Sequence, residues 1–161
     1  KVCMNHSIKS IESLGYGKGF TESAELFGRL LRMFDALQKK KMHVILLSHV
    51  GIRTFNDPER EPYDRWEMST HKKVSAMIRE WVDFNLFANY EVSTRTSGQG
   101  FKETTRAVSY GKRKLFHKYT AAFDAKSRVD LGVAPLDLDW TAFMTAFKQS
   151  LKSKKEGEKN V

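Results

Sequence analysis

The sequence predicts an α/β fold with helices flanking a mixed or parallel sheet. Three observations predict it. Residues 42–51, MHVILLSHVG, are a continuous apolar run bounded by lysines on one side and glycine on the other, the pattern of a central strand buried on both faces. Just before it, Leu26, Phe27, Leu30, Phe34 and Leu37 recur at helical spacing, so one amphipathic helix feeds directly into that strand. After it, helical and strand-like patterns follow one another to the end of the chain, as packed layers of the two element types require.

Composition narrows the classes. A length of 161 residues fits one domain or part of a larger one, and 40% hydrophobic residues with 12% aromatics can build a core. No apolar run approaches the length of a membrane span. The N-terminus lacks the apolar segment of a signal peptide. The single cysteine, Cys3, cannot form an internal disulfide, which places the chain by default in a reducing cytoplasm. The five histidines show no paired metal-ligand spacing with cysteine, so no metal site is expected. The net charge of +9 points to a polyanion, most often nucleic acid, with plain solubility as the competing explanation. The first residue is Lys1 rather than Met, in keeping with processing or with a fragment of a longer chain.

Residues 1–14 read as a short helix or irregular lead-in. Gly15-Tyr16-Gly17-Lys18-Gly19 suggests a phosphate loop but lacks a buried strand before it, and Gly19 stands where a magnesium-binding Ser or Thr belongs. The glycines are therefore expected to make a flexible turn. The helix that follows spans about 21–40, with Thr21 as N-cap, Glu22 and Glu25 in its first turn and Lys39–Lys41 at its end, charges that suit its dipole. Beyond the strand lies a polar loop, IRTFNDPEREPYDRW. A second helix is expected over 69–82, burying Val74, Met77, Ile78, Trp81 and Val82. Residues 84–91 read as a strand and 93–105 as a polar loop. Residues 106–110 and 114–120 read as a hairpin turning at Gly111-Lys112-Arg113. Between Arg95 and Arg128 nine basic residues face two acids, the most basic part of the chain. Asp139 is the expected cap of a last helix carrying Trp140, Phe143, Met144, Phe147 and Leu151 on one face. Residues 1–151 form the expected folded core and 152–161 a charged, disordered tail.

The run GYGKGFTESAELFGRLLRMFDALQKKKMHVILLSHVGI resembles a segment of RecA-like recombinase ATPases, most closely the phage-encoded, single-strand-annealing type grouped as AAA-family phage nucleotide-binding proteins. HKKVSAMIREWVDFNLFANY, the basic hairpin, and AFDAKSR followed by LDLDWTAFMTAF fit the same group. The pieces cover most of residues 13–148, none is a sharp catalytic signature, and their order carries the likeness. The resemblance implies a P-loop NTPase core of RecA-like type, with this chain matching its C-terminal portion. Walker A and Walker B would lie upstream of the Gly-rich turn. ATP and Mg2+ are then expected in the complete protein and not on this chain alone, which is an ATPase only when the other half is supplied. Single-stranded DNA, a homo-oligomer, recombination or annealing, no membrane, and the cytoplasm of a bacterial host are further implications.

The resemblance also assigns roles. His49 falls at the strand end where such proteins sense the γ-phosphate, and Ser48 beside it reads as packing. The following loop lies where a DNA-binding loop is placed. Arg53, Arg60 and Arg65 are its phosphate candidates and Phe55 its base-stacking candidate, with a solvated loop as the even alternative. Lys72 and Lys73 are phosphate candidates by charge. Lys126 and Arg128 match a position that reaches the neighbouring subunit's nucleotide, and the alternative is an ordinary basic loop. Lys112, Arg113 and Lys114 read as a general polyanion contact. The other functional readings are a non-enzymatic basic nucleic-acid-binding module and a split-protein partner subunit completing its sheet against another chain.

Overall fold

The computed structural model describes residues 1–97 and 104–159, in two units, 1–82 and 83–161. The first unit is built on helix α2 (Lys18–Lys39), preceded by helix α1 (Val2–Asn5) and 3-10 turns at Ile11–Ser13 and Gly15–Gly17. Its helix starts three residues before the expected Thr21. The reason is Gly17, whose φ of 68° lets the chain turn in the left-handed region and serve as N-cap, while the Thr21 hydroxyl donates back to the Gly17 carbonyl at 3.4 Å. The end of α2 is closed by two backbone bonds, Lys41 N–H to Gln38 O at 2.8 Å and Met42 N–H to Leu37 O at 3.2 Å. This is a Schellman closure with Lys41, at φ 61°, in the position usually given to glycine.

Strands β1 (Val50–Phe55) and β2 (Tyr63–Met68) pair antiparallel, Val50 opposite Met68 and Phe55 opposite Tyr63. Helix α3 (Lys72–Trp81) follows, shorter at both ends than the sequence pattern implied. Ala24, Val74 and Ile78 are buried together, with Phe27, Leu46, Met68, Met77 and Val82 packed against them. Gly28 permits the close approach of α3: a Cβ there would stand 2.9 Å from the Met77 methyl. Across the same seam Trp81 Nε1 donates to Asp35 at 2.7 Å.

The expected central strand over 42–51 is corrected. Only Val50 and Gly51 join a strand, and 42–49 have no ladder partner among the described residues. A parallel partner has to arrive by a crossover from a distant strand, and no described residue supplies one. Exposure still alternates as in a strand: Val44 and Leu46 are half-buried, while Ile45 and Leu47 are 65% and 94% exposed. The expected parallel sheet is corrected with it, since every described pairing is antiparallel.

In the second unit, β4 (Phe87–Ser97) and β5 (Thr104–Phe116) form a long antiparallel pair, and β7 (Leu136–Asp137) adds to the far edge of β5. β3 (Phe84–Asn85) pairs with β6 (Lys126–Ser127). The loop expected over 93–105 is thus strand as far as Ser97 and again from Thr104, and residues 98–103 of it lie outside the described residues. The turn expected at Gly111–Arg113 is also corrected. Pairing passes from Tyr90↔Arg113 to Val92↔Ser109, so β5 carries extra residues there, and Gly111 with φ 74° makes a bulge inside the strand. Phe87, Phe116 and Phe123 cluster beneath this pair, with Phe87 and Phe123 stacked at 4.5 Å. Helix α4 (Trp140–Lys159) begins as the sequence indicated, with the Asp139 carboxylate accepting from Ala142 N–H at 3.0 Å. Its Phe143 and Phe147 meet Phe84 edge-on. The segment expected to be a disordered tail continues this helix to Lys159, in keeping with the helix propensity of its lysines and glutamates. Residues 160–161 lie outside the described residues.

Candidate nucleic-acid interface

Two arginines of the hairpin β1–β2, Arg53 and Arg65, turn onto residues of their own unit. Arg65 is 4% exposed, its guanidinium 4.9 Å above the Phe55 ring and its Nε 3.9 Å from Glu67. Phe55 also packs on Tyr63 at 5.7 Å, so its ring is half-buried. Arg53 Nη2 donates to the Thr70 carbonyl at 3.3 Å. Arg60, at the turn, pairs with Asp57 at 3.1 Å and remains mostly exposed. Of the four side chains expected to meet DNA in this loop, only Arg60 stands out into solvent.

His49 sits where the unpaired segment enters β1. Its carbonyl accepts from Ser69 N–H at 2.8 Å, one step beyond the ladder, and from the Ser48 hydroxyl at 2.9 Å. These bonds fix the backbone and leave the imidazole exposed. At the start of α3, His71 accepts from Lys73 N–H and stacks on Phe20 at 4.4 Å. Lys73 Nζ donates to Thr21 Oγ1 at 2.7 Å, which moves its charge off the helix N-terminus, where the dipole opposes it. Lys72 is exposed beside it.

The second unit presents its charge differently. Lys112 and Arg113 are exposed on β5, and Arg113 lies directly across the ladder from Tyr90, itself 53% exposed. Directly opposed residues share a face, so this face offers a cation and an aromatic ring side by side. Lys114, on the other face, bonds Asp137 at 2.8 Å. That hydrogen bond holds the Lys114 ammonium above its usual range and the Asp137 carboxyl below its own.

Lys126 and Arg128 lie at and just beyond β6. The Arg128 N–H donates to Asp83 O at 3.1 Å, and its guanidinium pairs with the Asp83 carboxylate at 3.2 Å, both side chains being 57% exposed. The two cations line an open cavity of about 480 Å³ together with His117, which is only 3% exposed. Sequence reasoning brought Lys126 and Arg128 together but missed Tyr90 and His117. Tyr90 is legible only once the β4–β5 register is known. His117 carries no sequence signal at all, because its burial depends on a carbonyl seventeen residues away.

The described residues do not fit ATP and Mg2+. The Gly-rich turn follows a 3-10 turn instead of a strand, and the Thr21 hydroxyl is engaged by Gly17 and Lys73. Among the described residues no group of three or more His, Cys, Asp and Glu is placed to hold a metal ion, and no helix is long and apolar enough to cross a membrane.

A family model described as an AAA domain matches residues 1–129. No curated protein and no solved structure matches the chain.

Proposed function

The chain belongs to the AAA domain family, a nucleotide-binding, ATPase-type class, and on that premise we propose that it is the nucleic-acid-contacting part of an ATP-dependent, single-stranded-DNA-binding protein of phage recombination or annealing. The observation that carries the DNA reading is the exposed Tyr90–Arg113 pair on β4 and β5, flanked by Lys112. A ring that stacks on any base beside cations that meet phosphates is how proteins hold single strands without sequence preference. Arg60, Lys72 and Lys73 supply further phosphate contacts from the first unit. The phosphates of ATP and its metal are held by residues other than those described, in another segment or another copy of a homo-oligomer. The exposed imidazole of His49, on a backbone fixed by Ser69 just before β1, responds to the nucleotide. Lys126 and Arg128 reach the nucleotide that a neighbouring subunit of the homo-oligomer holds.

The test is the salt dependence of single-stranded DNA binding. Log affinity falls linearly with log salt, by about 0.7 per phosphate neutralised, and an affinity that ignores salt would sink the DNA reading. In the protein that hydrolyses ATP, His49→Ala lowers DNA-stimulated hydrolysis with folding intact, and unchanged hydrolysis removes His49 from this role.

A second reading rests on a separate observation, the exposed Ile45 and Leu47 in a segment without ladder partners. A segment without ladder partners and with exposed apolar side chains invites another strand, as in a subunit whose sheet is completed by another chain. Light scattering of the chain alone tests whether that strand comes from a second copy: a single chain of 18.6 kDa at all concentrations rules out a second copy.

A further inference from the structure

The three-stranded sheet of the second unit runs β4–β5–β7, so β4 is an edge strand. β5 occupies one side of it, and no described residue pairs with the other. An open edge presents a row of backbone donors and acceptors to any strand that reaches it, and proteins blunt such edges with proline, lysine, bulges or short length. β4 has eleven residues, FANYEVSTRTS, and among them is no proline, glycine or lysine. The extra residues of the irregularity near Tyr90 belong to β5, not to β4. Tyr90 and Val92 are 53% and 55% exposed, and Glu91 between them is exposed as well.

The charges on this strand match those of a second copy of it. Glu91 and Arg95 are of opposite sign and stand at even spacing, so they belong to one face of the strand. When two β4 strands pair antiparallel about a two-fold axis at Ser93, Glu91 of each copy is directly opposite Arg95 of the other. Opposite charges at such positions stabilise a strand pair. Two observations favour this register. Tyr90 N–H is taken by the Asn89 side chain at 2.8 Å, which leaves the stretch from Glu91 onward for new pairing, and within it Ser93 is the axis that matches acid to base. In the β4–β5 ladder Arg95 is registered opposite Arg106. Like charges directly opposed destabilise a ladder, and an acid brought to the other side of Arg95 offsets this.

We propose that β4 is a homodimer interface, two copies pairing their β4 strands antiparallel about Ser93 through reciprocal Glu91–Arg95 pairs. The occupant of the edge is a second copy because the charge pattern is complementary to itself, as a two-fold interface requires. Two three-stranded sheets become one. Directly opposed residues share a face, so both Tyr90–Arg113 pairs lie on the same face of the joined sheet, and the Glu91–Arg95 pairs lie on the other. A rise of about 3.4 Å per residue puts the two Tyr90 positions about 20 Å apart along the joined strands. A nucleic-acid strand crossing that face meets a ring and a cation from each copy. The interface itself does not depend on the DNA reading.

The experiment is light scattering of the full chain over a range of concentrations, for the wild type, Glu91→Lys and Arg95→Glu, with thermal melting to check that each variant folds. The wild type rises to twice 18.6 kDa. Each variant alone weakens dimerisation about tenfold, because it sets like charges opposite each other at both ends of the pairing. Mixed in equal amounts, the two variants associate as the wild type does, since their reversed charges complement each other. A wild type that stays at 18.6 kDa at all concentrations overturns the proposal. So does a dimer that both variants leave intact, or a pair of variants that does not recover on mixing. A dimer lost with Leu47→Glu but not with these variants places the contact in the 42–47 segment and overturns the β4 interface. Where a charge variant does not fold, Cys3→Ser combined with Ser93→Cys gives the readout. Directly opposed residues lie within disulfide reach, so oxidised glutathione links two chains, and the absence of linked chains overturns the proposal. Salt-dependent binding of single-stranded DNA by a chain that stays single overturns the interface alone. A dimer that binds no DNA overturns the DNA reading alone.

Discussion

The two hairpins of this chain, β1–β2 and β4–β5, carry the same residue types and use them in opposite ways. In β1–β2 an arginine and a phenylalanine face each other inside the unit: Arg65 is buried over Phe55, and Arg53 is tied to Thr70. In β4–β5 an arginine and a tyrosine face outward together, Arg113 opposite Tyr90. The arginines of the first hairpin act as packing groups with charged ends, and the cations of the second are available to a polyanion. Counting basic residues therefore locates charge without locating an interface, because partners inside the fold consume part of it.

The sharpest way to break the comparison is to remove the aromatic packing of the second hairpin. Phe123→Ala deletes the ring stacked on Phe87 and packed on Phe116, and is expected to cost about 3–5 kcal/mol by chemical denaturation. A loss below about 1 kcal/mol means that other contacts set the β4–β5 pair.

Next in size is the contrast between the two aromatics. Tyr90→Ala is expected to cost about 1–3 kcal/mol of single-stranded DNA affinity. Phe55→Ala leaves that affinity in place and lowers stability instead, since its ring supports Arg65. The reverse pattern, measured by fluorescence anisotropy and thermal melting, would exchange the roles of the two hairpins.

The cations give a finer test. Lys112→Ala combined with Arg113→Ala is expected to reduce the slope of log affinity against log salt by about 1.4, two single-strand phosphate contacts. Arg53→Ala with Arg65→Ala is expected to leave the slope unchanged while lowering the melting temperature. Equal slope changes in both double variants erase the distinction.

The smallest effect is at Lys114–Asp137, which anchors β7 to β5 through an exposed carboxylate. The Asp137 carboxyl is held below 3.8 in the folded chain, so its contribution is present above that pH and is lost as pH falls through the lowered value. The Lys114 ammonium is held above 10.5, so its contribution is present below that pH and is lost as pH rises through the raised value. Asp137→Asn is expected to flatten both limbs of a stability–pH profile slightly and to leave the plateau between them nearly flat. An unchanged profile means the pair contributes nothing to holding β7.

Much of the helical structure was legible in the residues. Helix α2 announces itself through Leu26 to Leu37, α3 through Val74 to Trp81, and α4 through Asp139 and the aromatic face behind it, because each helix makes its hydrogen bonds within four residues of chain. The errors at their ends are small and local: Gly17 captured the N-terminus expected at Thr21. The candidate site was legible in part. Lys126 and Arg128 share a cavity, and Lys112 and Arg113 are exposed. Arg65 gave no hint that it is buried, and Gly111 gave the signal of a turn while making a bulge.

By itself, then, the sequence determined the helices, the basic character of residues 95–128 and the apolar character of 42–47. Only the tertiary structure decided that 42–49 has no ladder partner among the described residues, that β4 and β5 bring Tyr90 to Arg113, and that His117 is buried in a cavity lining that it shares with Lys126 and Arg128. The physical reason is range. A helix is fixed by neighbours in sequence. A strand's partner, a side chain's burial and a charge's availability are fixed by groups that reach it only when distant parts of the chain fold together.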